Sequence, residues 1–469
     1  MSSTAAPQSA TRLRANRWLA GILAASVACG LLIITAYLLI GNGTKRAFAR
    51  TGWSEVPSLF QAVYGDDSWS PMAAAFLRAK APGDKDIYAV FFKDKTKFQY
   101  PPTSLLIFHV MPASWLSPQY FIKTETYTKL AGPPLKVFRT ASQLAVLLTI
   151  AATAAILEIG LRRLGGDTDA EAPARRFARI VMVILLGLAF YPVVKAHQLG
   201  QVQVFLNALT ALGVLVHLLG RRAWSGFLLG LCCTVKPQFA VLLIWALLRR
   251  EWRTAAGFLA AVVPLGLASL ASFGWDNHIQ YLGVIREIAR VGETFWTNQC
   301  ANGFLNRLLG NGDPVNFSPN EFAPYHPWVH ALTVGSSLLI LGLALFKRGP
   351  VEKGRSTIDL AIIIAAATLA SPIAWEHHYG AFLPLFALAL PACLEPRLSA
   401  WKPGLILGAS FLAMGVALLA PDSFFTSPWR GVAASHLYFG ALMFFGLLLH
   451  LRRSPAGADA STPPQPVQS

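Results

Sequence analysis

The sequence predicts an all-α polytopic membrane protein, and two observations carry that prediction. Hydrophobic residues make up 54% of the 469 residues and charged residues only 13%. The apolar residues are also gathered into runs close to twenty residues long. A soluble chain would carry about a quarter charged residues, whereas a helix that crosses roughly 30 Å of hydrocarbon needs about 20 apolar residues. The composition therefore excludes a soluble multidomain protein.

The N-terminal segment predicts a retained membrane helix. Three arginines at positions 12, 14 and 17 precede the apolar run 18–40, which is too long for a signal-peptide core and has no small-residue cleavage site. We expect residues 1–17 to form a disordered cytoplasmic N-terminus. The Pro-, Ser- and Ala-rich residues 454–469 are expected to form a disordered cytoplasmic tail.

Between these ends, residues 18–453 are expected to form one transmembrane domain of about twelve spans. After the first span, the candidates are 137–160, 178–195, 200–219, 223–235, 237–248, 254–273, 329–346, 357–374, 378–395, 402–420 and 432–451. No internal repeat or second domain is visible in the sequence.

Basic pairs at the ends of apolar runs predict the orientation. They are Arg221/Arg222, Arg249/Arg250, Lys347/Arg348 and Arg452/Arg453. Such pairs mark cytoplasmic loops, so the net charge of +17 indicates topology and not nucleic-acid binding. The five cysteines lack the paired spacing of a zinc site, and most stand inside apolar runs.

For two stretches the apolar pattern alone does not say whether the chain crosses the membrane once. The requirement that all the basic pairs stay on the cytoplasmic side decides both. The short apolar stretch 103–118 is interrupted by Pro112 and is interpreted as an interfacial or re-entrant element. The stretch 225–248 is interpreted as two short helices that turn at Lys236, because the following Pro237 removes a backbone donor. Three segments then face outward: a large first loop over 41–136, a second over 274–327 and a short one over 371–380.

Polar residues from distant parts of the chain fall at the predicted outer face. They are Asp66 and Asp67, the YPP at 100–102, the AHQLGQVQ at 196–203, Lys236, the TNQCANGFLNR at 297–307 and the WEHHY at 375–379. Their gathering predicts one extracytoplasmic cavity, covered by the two long loops, at the boundary where a membrane enzyme would meet a lipid-borne substrate.

Each candidate group has a structural and a chemical interpretation. Asp66 and Asp67 precede an amphipathic segment, so either can cap a helix or act as a general base. His377 and His378 are interfacial residues or bind phosphate and orient an acid–base group. We expect at most one of the two rings to face the cavity, because neighbours on a helix project about 100° apart. They do not form a recognisable metal site.

Lys236 either extends to the interface or, with Lys195, His197 and Arg307, binds a lipid phosphate. The amides of Gln198, Gln201, Gln203 and Asn207 are expected along the start of one helix, where they bind a neighbouring helix or a sugar.

In order along the chain, these segments resemble glycosyltransferase family 87, the polyprenol-phosphate-mannose-dependent α-mannosyltransferases of the GT-C superfamily. The resemblance consists of an acidic residue before an AAA..L helix, DIYAVF and FQYPPTSLL (86–106), GQVQVFLNALTAL (200–212), GFLLGLCCTVKPQFAVLLIWALLRREWR (226–253), NQCANGFLNRLL (298–309) and SPIAWEHHYGAFLPL (371–385). Each motif is weak alone, but the ordered set is specific.

The resemblance implies a GT-C-like helix bundle that transfers a sugar, expected to be mannose, from a polyprenyl-phosphate donor to a lipid or glycan acceptor at the outer face of the cell membrane. It implies inversion at the sugar, with Asp67 or Asp66 as the base. The family commonly has a Tyr about four residues after the Asp, where this chain has Ser70 and Pro71, so the motif does not choose between the two carboxylates. Donor or acceptor contacts are expected from Lys236, Gln201, Asn298, Gln299, Arg307, Trp375, Tyr100 and one of His377/His378.

A sugar phosphate already has a good leaving group, so catalysis needs a base, cations for the departing phosphate and alignment. No cofactor or metal is expected, and the partners are the donor, the acceptor and membrane lipids. The sequence has no GxxxxGK[ST] or GxGxxG motif, which argues against a nucleotide donor. A secondary transporter or lipid flippase is the alternative, but it would be expected to show midplane charges and two similar halves.

Overall fold

The structure, a computed structural model, is predominantly helical. It describes residues 6–40, 49–60, 65–81, 86–92, 97–123, 128–165, 171–318, 321–346, 356–394, 402–418 and 428–453. The predicted tail, 454–469, lies outside the described residues. The helix α1 begins at Ala6, so most of the segment that was predicted to be disordered up to residue 17 is helical.

The α-helices follow in chain order. They are α1 Ala6–Ile40, α2 Gly52–Glu55, α3 Trp69–Lys80, α4 Ala89–Phe92, α5 Gly132–Gly165, α6 Pro173–Ala189, α7 Tyr191–Gln198, α8 Gln203–Leu218, α9 Arg222–Val235, α10 Val241–Leu248, α11 Trp252–Val291, α12 Ala301–Leu308, α13 Pro327–Leu345, α14 Ser356–Leu369, α15 Leu383–Cys393, α16 Lys402–Gly415, α17 Pro428–Ala433 and α18 His436–Arg453. Short 3-10 helices join them at Val56–Leu59, Pro102–His109, Ala113–Leu116, Pro118–Tyr120, Pro237–Ala240 and Glu376–Phe382.

Two small antiparallel ladders accompany the helices. Strand β1 (Ala49–Thr51) pairs with β4 (Val416–Leu418), with Ala49 opposite Leu418. Strand β2 (Phe121–Lys123) pairs with β3 (Thr128–Leu130), with Phe121 opposite Leu130. The second ladder packs on α3 and so belongs to the predicted first outer loop.

Several helices are long and apolar enough to cross a membrane. Four single helices qualify among the described residues: Thr11–Ile33, Gly132–Leu164, Trp252–Val291 and Pro327–Leu345. The consecutive helices α6 and α7 qualify together as a fifth span that is bent by 55°. Shorter apolar helices such as α8, α9 and α14 add to the bundle. The total of twelve spans and the GT-C arrangement stay predictions.

The bend between α6 and α7 differs from the predicted continuous span over 178–195. Phe190 adopts extended backbone angles (φ −79°, ψ 94°), and the new helix has a proline, Pro192, in its first turn. Because a proline has no backbone N–H and its ring clashes with the carbonyl four residues earlier, α6 cannot continue through Pro192, and the chain restarts at an angle.

The predicted break at Lys236 is confirmed. Helix α9 ends at Val235, Lys236 is extended (φ −129°, ψ 96°), and the chain returns through the 3-10 helix Pro237–Ala240 into α10. The stretch 103–118 likewise forms no long helix. Its longest element has 8 residues, which span only about 16 Å at the 3-10 rise.

The first part of the predicted second outer segment is helical, because α11 continues to Val291 after a kink at Gly274, the predicted start of the segment, where a φ of 77° interrupts the helical geometry. The expectation that four amides lie along one helix was wrong. Gln198 ends α7, Gln201 lies in the turn, and Gln203 begins α8. The intervening Gly200 has a φ of 67°, which favours glycine.

A buried charge cluster holds the helix ends that carry basic residues. Asp359, at the start of α14, is fully buried and accepts hydrogen bonds from Arg249 Nε (2.6 Å) and Arg452 Nη1 (3.1 Å). Trp245 Nε1 donates a third, at 2.8 Å. The two arginines that the basic-pair pattern assigned to one face therefore meet at a single carboxylate.

The break at Lys236 lies at the other end of the helices. Helix α9 has 14 residues, so about 21 Å separates its Arg222 end from Lys236. Helix α14 also has 14 residues and leads from Asp359 toward Ala370 and Ser371. The cavity described next lies at this second end.

Candidate active site

One large cavity, of about 1650 Å³, gathers most of the predicted site residues. Those that line it are Asp66, Asp67, Tyr100, Gln201, Lys236, Trp375, His377 and His378. They come from the segment before α3, the YPP turn, the α7–α8 turn, the α9–α10 break and the 3-10 helix before α15. Chain segments far apart in sequence therefore share one site, as the outer-face pattern predicted.

The loop that carries the two aspartates is fixed by the α7–α8 turn. Gly65 N donates to Gln198 O (3.0 Å) and Asp67 N donates to Leu199 O (3.1 Å). The backbones approach so closely that a Cβ on Gly200 would lie 1.8 Å from Gly65 O. A glycine at position 200 is thus required for both its positive φ and this contact.

Asp66 and Asp67 have different surroundings. Asp66 is buried, and its carboxylate accepts hydrogen bonds from the Ser70 hydroxyl and from Leu130 N (3.1 Å). It therefore ties the first turn of α3 to strand β3. The Asp67 side chain is exposed to the cavity, and Gln201 Nε2 donates to its Oδ2 at 3.4 Å. Of the two aspartates, Asp67 therefore has the carboxylate that is more open to a molecule in the cavity.

The cavity changes the acidity of Asp67. Although the side chain reaches cavity water, protein surrounds that water on most sides, and this burial raises the pKa of Asp67 to about 6. The Gln201 hydrogen bond and Lys195 lower the pKa, whereas the neighbouring Asp66 raises it. A carboxylate with a pKa near neutrality is well suited to accept a proton.

A small network orients Gln201 toward Asp67. The Ser68 hydroxyl donates to Gln201 Oε1 (2.8 Å) and accepts from Val202 N (3.0 Å). The Tyr100 hydroxyl lies 2.8 Å from Ser68 Oγ and 3.3 Å from Gln201 Oε1. Because these hydroxyls occupy the amide oxygen, the amide nitrogen faces the carboxylate. Burial raises the pKa of Tyr100 to about 12, so its phenol stays protonated and can donate.

Lys236 and His378 form the second polar centre of the cavity. Lys236 Nζ lies 2.6 Å from His378 Nε2, and the two side chains are buried at 8% exposure each. The His377 and His378 rings are perpendicular, with centroids 4.8 Å apart. His377 Nε2 and His378 Nδ1 are buried and have no hydrogen-bond partner among the described residues.

Both histidines line the cavity, so the expectation that at most one ring would face it was wrong. The residues stand in the first turn of a 3-10 helix and not of an α-helix. At this turn both imidazole rings form part of the cavity wall. The unpaired ring nitrogens, together with the Lys236 ammonium, provide binding groups that a ligand can complete.

Three of the predicted substrate contacts do not line the cavity. Arg307 donates to the carbonyls of Thr294 (3.2 Å) and Asn298 (3.0 Å) and to Ser435 Oγ (2.8 Å). Asn298 Nδ2 donates to Glu293 O and Gln299 Nε2 to Trp296 O and Ala434 O. These side chains hold the wall that carries Trp375, since Asn298 forms a β-bridge with Trp375. His197, predicted near the phosphate, pairs instead with Ser142 Oγ at 2.8 Å.

The sequence did not single out two further cations of the cavity wall, Arg78 and Lys97. Lys97 Nζ lies 2.5 Å from Glu293 and 4.6 Å from the ring centroids of both Phe317 and Phe322. Burial lowers the pKa of Lys97, and Glu293 opposes that shift. Lys97 directly precedes the FQYPPTSLL motif and Arg78 directly follows AAAFL in α3, but only the tertiary structure reveals that both line the cavity.

A carboxylate shares this cavity with cationic and imidazole groups, among helices long enough to cross a membrane, and this combination is typical of a membrane-embedded group-transfer enzyme. Residues 98–372 match the model of Glycosyltransferase family 87. This is more than half of the chain, and the protein belongs to that family. The resemblance noted in the sequence is thereby confirmed, and the protein is a membrane glycosyltransferase.

Two curated proteins are similar to the chain over most of its length. The chain is 26% identical over 381 residues, 78% of this chain and 79% of the relative, to a polyprenol-phosphate-mannose-dependent alpha-(1-2)-phosphatidylinositol mannoside mannosyltransferase of Mycolicibacterium smegmatis. It is 28% identical over 332 residues, 69% of this chain and 67% of the relative, to the protein of that name from Mycobacterium tuberculosis. No solved structure matches the chain significantly.

Proposed function

We propose that the protein transfers mannose from a polyprenyl-phosphate donor to a glycolipid or glycan acceptor at the extracytoplasmic face of the cell membrane. The observation that carries this proposal is the single cavity in which Asp67 and the Lys236–His378 pair lie together. The curated relatives are named for a polyprenol-phosphate-mannose donor and a phosphatidylinositol mannoside acceptor, which supports this donor and acceptor class.

Asp67 is the general base of the proposed reaction. Its carboxylate takes the proton of an acceptor hydroxyl while that oxygen forms a bond to the anomeric carbon of the donor. The bond between the anomeric carbon and the phosphate oxygen breaks, and its electron pair leaves with the polyprenyl phosphate. Attack opposite to the leaving group inverts the anomeric carbon, so a β-linked donor gives an α-mannoside.

Lys236 and His378 form the proposed site for the donor phosphate. The Lys236 ammonium can bind the phosphate oxygens, and the unpaired nitrogens of His378 and His377 can complete the contacts. Since these groups are largely removed from water, they act on the charge that develops on the leaving phosphate with little screening. Lys195, which also lines the cavity, adds a further positive charge.

The lining of the cavity supports a lipid-linked donor. Part of the wall is aliphatic, with Val235, which directly precedes Lys236, and with Val241, Ile285 and Leu341 from α10, α11 and α13. Such a wall can hold the first units of a prenyl chain. The cavity lies at the opposite end of α9 and α14 from the basic helix ends, and this supports an extracytoplasmic reaction.

A transfer assay tests this function. The purified chain in lipid nanodiscs is given radiolabelled polyprenyl-phosphate mannose or GDP-mannose, each with a phosphatidylinositol mannoside. We expect a longer labelled glycolipid only from the polyprenyl-phosphate donor. Transfer from GDP-mannose, or solute movement across vesicles without any transfer, would contradict the proposal.

A further inference from the structure

A wall of aromatic side chains lines the cavity beside the polar centres. Phe295, Trp296, Phe317 and Trp375 all contribute to the lining. The ring centroids of Phe295 and Phe317 are 5.5 Å apart, and those of Phe317 and Trp375 are 6.0 Å apart. Phe317 is 48% exposed, so a large part of its ring is open to a ligand.

Hydrogen bonds, a β-bridge and a cation–π contact hold the aromatic wall in place. Trp296 N donates to Pro314 O (3.0 Å), and Asp313 Oδ1 accepts from Val315 N (2.8 Å), which orders the turn before Phe317. Trp375 is held by its β-bridge with Asn298. The Lys97 ammonium lies 4.6 Å from the centroid of the Phe317 ring and pairs with Glu293, so it joins the first outer segment to the second. The rings are thereby held in place before any ligand arrives.

The aromatic wall differs chemically from the aliphatic wall near Lys236. Polar groups stand among the rings, with Thr297, Tyr191 and Glu376 in the same lining, and Tyr191 donates to Glu376 at 2.8 Å. A pyranose ring has an apolar C–H face and polar hydroxyls at its edge. Flat rings and nearby hydrogen-bonding groups match those two parts, whereas a prenyl chain needs only aliphatic surface.

We propose that this aromatic wall is the acceptor subsite, where the pyranose ring of the acceptor glycan packs on Phe317 and Trp375 with its reacting hydroxyl toward Asp67. The inference rests on the proposed function. The donor sugar is already placed by the phosphate at Lys236–His378, so the acceptor sugar needs a separate surface. Phe317 belongs to the segment between α12 and α13, and its exposed ring can be reached by a glycan headgroup.

Acceptor kinetics test the subsite, with octyl α-mannoside as acceptor and polyprenyl-phosphate mannose as donor. We expect Phe317→Ala to raise the KM for octyl α-mannoside about tenfold, the loss of one aromatic contact, with kcat and the donor KM little changed. Phe317→Tyr keeps a ring and should behave like the wild type. Phe317→Leu keeps the apolar surface without a ring and should behave like the alanine variant.

Two matched variants control for the folding of the segment. Tyr325→Ala removes an aromatic ring that contacts Arg290 and His330 but does not line the cavity. Phe322→Leu removes the other aromatic contact of Lys97, again away from the lining. Both should leave the acceptor KM unchanged. An equal rise in these variants, a normal acceptor KM in Phe317→Leu, or a raised donor KM in place of the acceptor KM would overturn the subsite.

Equilibrium binding of radiolabelled octyl α-mannoside separates this inference from the proposed function. If the wild type transfers nothing from polyprenyl phosphates, the proposed reaction is wrong. Weaker binding by Phe317→Ala than by Phe322→Leu would still support the aromatic subsite in that case. Equal binding by the two variants would refute it, whether or not the enzyme transfers mannose.

Discussion

At the scale of single residues, neighbouring side chains of the same type take different roles because their partners differ. Asp66 is buried between the Ser70 hydroxyl and Leu130 N. The Asp67 carboxylate faces the cavity and accepts a described hydrogen bond from Gln201. We therefore assign the proposed general base to Asp67 and a structural role to Asp66. That role is not the capping that the sequence suggested, because the Asp66 carboxylate accepts from the Ser70 hydroxyl and Leu130 N, and the N-cap of α3 is Ser68.

The pH dependence of transfer should report Asp67. A base must be deprotonated, so activity is present above its pKa and is lost as the pH falls through about 6. The Gln201 hydrogen bond lowers the pKa of Asp67. We thus expect Gln201→Leu to move the acidic limb of the kcat/KM profile to higher pH, whereas Gln238→Leu, elsewhere in the lining, should leave it in place. An unmoved limb in Gln201→Leu would contradict this role.

Removal of the Lys236 charge should weaken the reaction of the donor. We expect Lys236→Met to lower kcat/KM for polyprenyl-phosphate mannose about a hundredfold, since an oriented group that stabilises developing charge is lost. Lys136→Met is the matched control, because that lysine is exposed and outside the cavity lining. Similar kcat/KM values for the two variants would exclude Lys236 from the phosphate site.

Residue chemistry explains which of the predicted site residues line the cavity. Asp67, Lys236 and His378 could be named from sequence, because a charged or imidazole side chain next to an apolar span is costly without a purpose. Arg307 has the same signature, but its two Nη atoms donate to three backbone carbonyls and Ser435 outside the cavity lining. Sequence does not reveal that set of partners, since the contacts come from folding. Lys97 was not predicted as a site residue. Its partner Glu293 is distant along the chain, so the sequence does not show that the two meet at the cavity.

At the scale of secondary-structure elements, the turn between α7 and α8 positions the aspartate loop, and a single glycine tests it. We expect Gly200→Ala to lower transfer at least tenfold, because its Cβ would meet Gly65 O at 1.8 Å and displace Asp67. Gly220→Ala is a matched control, since Gly220 also has a positive φ (81°) but open space around it. Both changes introduce similar backbone strain, but only the first should reduce activity.

Circular dichroism distinguishes displacement of the aspartate loop from global unfolding of the Gly200→Ala variant. The helix content should match that of Gly220→Ala. Unreduced transfer by Gly200→Ala would show that the turn does not position the base.

Breaks in helices were predictable where a proline stood beside a charge and not elsewhere. Lys236-Pro237 gave both signals, and the break lies there. The bend at Phe190 follows from Pro192 in an otherwise apolar run, where the sequence favoured one continuous span. The extension of α11 to Val291 could not be anticipated from the polar residues that follow Gly274, because tertiary packing of Tyr281 and Val284 stabilises that helix.

At the scale of the whole molecule, the buried Asp359 cluster joins α10, α13, α14 and α18 at the end opposite the cavity. We expect Asp359→Asn to destabilise the bundle by about 3–5 kcal/mol, because Arg249 and Arg452 would be left without a countercharge. Thermal unfolding in detergent measures the effect. Asp313→Asn, in an exposed turn, is the control. Equal melting temperatures for the two variants would contradict the role of the cluster.

The arrangement of charge over the whole chain was the most informative part of the sequence. Basic helix ends assigned to one face do converge, as Arg249 and Arg452 show, and the polar motifs of the other face line one cavity. Both patterns follow from the high cost of charge in hydrocarbon. The shape of the cavity and the aromatic wall could not be derived, since they depend on side-chain packing between distant segments.

The most direct measurement of the central claim is the mannose-transfer rate of Asp67→Asn beside Asp66→Asn in the same nanodiscs with polyprenyl-phosphate mannose. We expect at least a hundredfold loss for Asp67→Asn with unchanged folding, and a loss of less than about tenfold for Asp66→Asn, whose amide oxygen can still accept one hydrogen bond. Near-normal transfer by Asp67→Asn would mean that the cavity carboxylate is not the base.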